Sequence, residues 1–186
     1  MTELPRQTLP LELQVKLRRL AMAVQILILL GAIGVVATVA WVWIVPGHLH
    51  SQVKESAMVD VDRMALHTQV LGGLWTLLPA GIVLLGLQRL WVLFGEYAFG
   101  RVFSQRALLS LRGFARCVLG LGLLSPPYSA LMSVIVSWHN GPGHRQLSLN
   151  ISSDDYGMLL FGAALLAISS AMAEAARAAE ENAGFV

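Results

Sequence analysis

The sequence predicts an all-α integral membrane protein, a four-helix transmembrane bundle with both termini on the cytoplasmic side. Three observations predict it. First, four runs carry no charge: Leu20–Val45 (26 residues), Thr68–Gln88 (21), Cys117–Trp138 (22) and Tyr156–Ala173 (18). About 20 helical residues at ~1.5 Å rise cross the ~30 Å hydrocarbon core, so each run is long enough to span. Second, hydrophobic residues make up 56% of the chain, charged residues only 13%, and mean hydropathy is +0.66. A soluble domain carries about 25% charge. Third, the basic residues sort by side.

With the N-terminus inside, the inner segments hold ten basic residues: Arg6, Lys16, Arg18, Arg19, Arg89, Arg101, Arg106, Arg112, Arg116 and Arg177. The outer segments hold three, Lys54, Arg63 and Arg145. Such a bias orients a membrane protein, so the pI near 9.0 reports topology and not nucleic-acid binding. The spans fall at approximately 20–45, 70–94, 113–138 and 155–174, with a cytoplasmic loop at 95–112 and a cytoplasmic tail at 175–186. They form one membrane domain, with no soluble domain beside it.

Residues 1–19 place Leu13, Leu17 and Leu20 on one helical face beside Lys16, Arg18 and Arg19. This is a juxtamembrane helix that lies on the anionic inner leaflet or runs into the first span; docking of a partner is a further use of it. The first run is too long for a signal-peptide core of 7–15 residues and ends on Trp41 and Trp43, so it is read as a retained helix.

After Pro46-Gly47, apolar residues recur every three to four positions from Val53 to Met64, which predicts a short outer amphipathic helix. The second span contains Pro79 and the third Pro126-Pro127. Proline removes a backbone donor, so each is expected to kink its helix and free carbonyls that Ser125, Tyr128 or Ser129 can satisfy. Kinks of this kind can open a ligand cavity.

The inner loop supplies Gly100 for a turn and Ser104 as N-cap of the next helix. Tyr97, Gly100 and Phe103 are expected to pack together there. The second outer connection alternates Leu147, Leu149 and Ile151 with polar residues, a strand-like pattern, and Ser152 with Asp155 forms a capping box. In the last helix Ala163, Ala167, Ala171, Ala175 and Ala179 recur every fourth residue. They are expected to pack inside the bundle, with a homo-oligomer seam as the alternative. The single cysteine, Cys117, permits no intramolecular disulfide.

Chemistry is sparse. No span carries an acid, lysine or histidine in its middle, which argues against a pump, a proton-coupled carrier or a His-ligated haem protein. P-loop, G-x-S-x-G, H-E-x-x-H and dinucleotide motifs are absent, so no enzyme, cofactor or catalytic residue is expected. All five histidines, His48, His50, His67, His139 and His144, fall on the outer side near acids. They are the candidates for a metal or pH site, against the simpler reading that histidine is tolerated in wet loops.

The inner segment L-F-G-E-Y-A-F-G-R-V-F-S, followed by L-R-G-F-A-R, resembles a family of uncharacterised bacterial four-span inner-membrane proteins with the pattern L-F-x-x-Y-x-x-G-x-x-F-[ST]. Leu93, Phe94, Tyr97, Gly100, Phe103 and Ser104 carry the match, and A-A-E-E-N with Glu180 and Glu181 matches its acidic tail, with alanine for the usual leucine. The resemblance covers most of the chain beyond residue 70. It implies a bacterial inner-membrane protein of no established activity, often encoded beside small helix-turn-helix regulators. The expected role is therefore a non-enzymatic regulator or interaction partner of such a protein, working through the cytoplasmic face. A small-molecule or lipid binder with a kinked-helix cavity, and an outer-face metal or pH sensor, are the alternatives.

Overall fold

The computed structural model describes residues 11–44, 66–137 and 151–183. The first ten residues, the outer amphipathic helix and most of the strand-like loop lie outside the described residues. Four helices account for almost everything described: α1 (Leu11–Ile44), α2 (Leu66–Ala98), α3 (Gln105–Ser137) and α4 (Ser153–Ala183). Each has 31 to 34 residues, about 50 Å at the α-helical rise, and so outruns a ~30 Å hydrocarbon core. The protein is an all-α four-helix bundle, and all four helices are long and apolar enough to cross a membrane.

The helices extend well past the uncharged runs. Arg, Lys, Glu and Gln are good helix formers whose long stems can reach a polar interface from inside a helix, so the flanking charges lengthen α1, α2 and α3 and do not end them. Within the segment 95–112 the helices leave residues 99–104 as the connection, and the juxtamembrane segment continues α1 from Leu11. The tail through Ala183 is the last part of α4.

Among the described residues, only successive helices bring their backbones within 8 Å: α1 with α2, α2 with α3, and α3 with α4. The bundle is thus ordered as a row, with α1 and α4 as its outer members. Neighbours run antiparallel: Gln25 Nε2 donates to the Trp91 carbonyl at 3.4 Å, Gly86 faces Cys117 and Phe114, and Gly162 faces Leu119. The start of α1, the α2–α3 turn and the end of α4 therefore share one end, called here the hairpin end.

Large apolar side chains point outward all along the row, such as Leu27 (65% exposed) and Leu74 (65%). Water would penalise such a surface by roughly 25 cal/mol per Å²; lipid does not. The inward positions are small. Among the less exposed residues of α4, Asp155, Leu159, Gly162, Leu166, Ser169 and Ala173 alternate steps of four and three, the spacing of a left-handed helix seam, with Leu165, Met172 and Ala176 beside them. Facing them, α3 buries Ala115 and Gly122.

The alanine series from Ala163 to Ala179 lies off this seam: all five are exposed, so the expectation that they pack inside the bundle is corrected. A four-residue step drifts around a 3.6-residue helix, whereas the seam keeps its face by alternating three and four. Glycine makes the close approach instead.

Candidate functional site

The hairpin end holds the densest polar chemistry among the described residues. α2 ends in a left-handed glycine: Gly100 has φ of 72°. Its N–H donates to the Tyr97 carbonyl at 2.9 Å, and the Arg101 N–H donates to the Glu96 carbonyl at 3.0 Å. These are the two bonds of a Schellman cap. The contact between its third-from-last and second-following residues is commonly apolar; here it is ionic. Arg101 Nε lies 3.1 Å from Glu96 Oε2, and Arg106 stands 3.9 Å from Oε1.

Ser104 ties the turn to the next helix. Its hydroxyl donates to Glu96 Oε2 at 3.1 Å and accepts the Ala107 N–H at 3.1 Å, so it is the N-cap of α3 as the sequence predicts. Glu96 is buried, with its side chain only 9% exposed, and it gathers a serine and two arginines onto one carboxylate. Sequence reasoning does not single it out. The usable signal was an acid four residues before a turn glycine and five before an arginine, the offsets at which a Schellman cap brings the two side chains together.

Tyr97 packs inward. Its ring meets Phe94 edge-on with centroids 5.7 Å apart, beside a core of Leu93, Ala107 and Leu111 that also receives Leu165 and Met172. Phe103 does not join it. It is 61% exposed and lines a groove with α3 and α4, which corrects the expected Tyr97–Gly100–Phe103 cluster. The carboxylate of Glu96 closes the turn, so no ring is needed to fill it. Phe99 is 75% exposed, with the Arg101 guanidinium 5.4 Å from its ring centre. A shallow groove lies on each side of the turn: one of about 420 Å³ between α1 and Phe99, and one of about 370 Å³ between Phe103, α3 and α4.

Because an L-residue with a side chain resists positive φ by about 1–2 kcal/mol, Gly100→Val should lower the melting temperature of the detergent-solubilised protein by several degrees. Gly100→Asn, which tolerates this conformation, should lose less. Equal melting of wild type and the valine variant would show the turn to be insensitive to its backbone conformation.

The remaining sequence candidates fall elsewhere. Glu181 pairs with Arg177 at 3.0 Å on the exposed face of α4. Both α2 and α3 run unbroken through Pro79, Pro126 and Pro127. The hydroxyls expected to answer the freed carbonyls are engaged otherwise: Ser129 donates to the Pro126 carbonyl at 2.9 Å, Tyr128 donates to Thr76 Oγ1 at 3.5 Å, and Ser125 lies against Asp155. Between the two helices, the Trp75 and Tyr128 rings stack at 6.0 Å, leaving the buried Trp75 Nε1 without a partner among the described residues.

At the other end of the bundle the Ser152–Asp155 capping box forms, with reciprocal bonds of 2.8 and 3.2 Å. His48, His50, His139 and His144 lie outside the described residues, and His67 falls in the first turn of α2. Among the described residues no three His, Cys, Asp or Glu side chains gather as a metal site would require.

No protein-family model matches the chain, and neither a curated protein nor a solved structure matches it.

Proposed function

We propose that this chain is a non-enzymatic regulatory or interaction protein of the bacterial inner membrane, working through the hairpin end, which the positive-inside bias directs to the cytoplasm. One observation carries the reading. Glu96 fixes a six-residue turn between two long helices, and that turn presents Phe99 and Phe103, 75% and 61% exposed, beside Arg101 and Arg106. A rigid, exposed aromatic pair flanked by arginines has the composition of an interface centre. It costs little ordering on binding, because the turn is already held. The tail adds Glu174 and Glu181 on exposed helical positions, and such rim charges steer association. The partner best suited by the resemblance is a small soluble helix-turn-helix protein.

Affinity capture of the full chain from native membranes, followed by mass spectrometry, tests this. The expected result is a stoichiometric soluble DNA-binding protein. Deleting 177–186 should leave four inserted spans and weaken capture several-fold, about 1 kcal/mol, as expected for rim charges. Capture of no cytoplasmic protein by either version would remove this reading, and a retained small molecule in its place would favour a binder.

A further inference from the structure

We propose that the groove between α3 and α4 at the hairpin end is a binding site for the headgroup of an anionic phospholipid. The groove has a volume of about 370 Å³ and is lined by Phe103, Leu108, Leu109, Arg112, Ala173 and Arg177. It has no acidic residue in its wall, and two arginines line it from different helices, Arg112 from α3 and Arg177 from α4. A guanidinium presents five N–H donors in a planar fork that matches phosphate oxygens two at a time. Glu181 engages Arg177 through Nε and holds the side chain without lining the groove.

Apart from Gln105 the rest of the wall is apolar, and Leu109 is 56% exposed. Leu123 stands fourteen residues further along α3, about four turns, and so on the same face as Leu109; it is 66% exposed. A phosphate between the arginines would thus sit above exposed leucines that an acyl chain can cover. A free anion would gain nothing from those leucines; a phospholipid uses both parts. Basic pockets between spans at the membrane surface suit such headgroups. The site needs only that the hairpin end lie at a membrane surface, so it is separable from the protein-partner reading.

The test is native mass spectrometry of the purified full chain in detergent. It is titrated with phosphatidylglycerol or with phosphatidylcholine of the same acyl chains. One phosphatidylglycerol should be retained with about tenfold preference, and Arg112→Gln with Arg177→Gln should abolish that preference. Lys16→Gln with Arg19→Gln removes the same charge from α1, at the far side of the row, and should leave it intact. Arg112→Lys with Arg177→Lys keeps charge without the planar fork and should fall between; if the glutamine variant does not fold, this variant against the same control decides. Equal loss in the α1 and groove variants would mean diffuse electrostatics and overturn the site. So would unchanged preference in the groove variants, or displacement of phosphatidylglycerol by an equal concentration of inorganic phosphate.

Discussion

Glu96→Ala should lower the melting temperature of the detergent-solubilised protein by roughly 5–10 °C, the largest loss expected from any single charged residue. The reasoning is local. Arg101 and Arg106 are 60% and 74% exposed, so each ion pair contributes no more than about 1 kcal/mol. The part-buried bond from Ser104 to an ionised acceptor contributes about 1.5–3 kcal/mol, and its loss also slackens the N-cap of α3. Together about 2–3 kcal/mol is at stake, and for a chain of this length each kcal/mol moves the midpoint by about 2–4 °C. Glu96→Gln retains an acceptor for Ser104 and should lose about half as much. Glu181→Ala, which breaks only an exposed pair, should stay within about 0.5 kcal/mol of wild type. Thermal melts that place Glu96→Ala beside Glu181→Ala would show that the turn is not organised by Glu96.

Gly162→Leu should separate α3 from α4. A Cβ at Gly162 would stand 2.7 Å from Leu119 Cγ and 2.9 Å from the Leu119 backbone nitrogen. The side chain could rotate away, but the backbone nitrogen cannot, so even Gly162→Ala must push two helices apart, at a cost of about 1–3 kcal/mol. Lipid offers no hydrophobic compensation for a looser fit, since tails are as apolar as the leucines. The leucine variant is expected to yield little folded protein. Ala167→Leu and Ala171→Leu, on the exposed face of the same helix, should melt within about 0.5 kcal/mol of wild type. Melting temperature and the yield of monodisperse protein decide. Reversal of this order would place the true seam on the alanine face.

These two residues also mark how much the sequence disclosed. Four helices followed from charge-free length alone, because a bilayer imposes that length on any span. Local caps were equally readable: Gly100, Ser104 and the Ser152–Asp155 box act over three or four residues, and each forms as expected. What lies between helices was not readable in the same way. The alanine repeat looks like a packing face because its spacing is close to a helical turn, yet a single glycine, Gly162, seven residues beyond the buried Asp155 and seven before the buried Ser169, makes the closer approach. Glu96 was hidden for a related reason. Its role depends on Ser104 and Arg106, which a turn and a helix start bring back to it, and the only sign of that return in the sequence is the offset of the acid from Gly100 and Arg101. The spans were read from the uncharged runs alone, and the helices continue past them because lysine and arginine stems carry a helix through the interface.

The proposed function requires the hairpin end to face the cytoplasm, and one reporter fusion decides that most directly. A periplasm-active enzyme and a cytoplasm-active enzyme are each fused at Gln105, the first residue of α3, and compared with fusions at Val53, Gln146 and the C-terminus. The ten-to-three distribution of basic residues predicts inside at Gln105 and at the C-terminus, and outside at Val53 and Gln146. An outside reading at Gln105 would put the Glu96 turn, its two phenylalanines and its arginines on the wrong side of the membrane for any cytoplasmic partner, and the proposed function would fail with it.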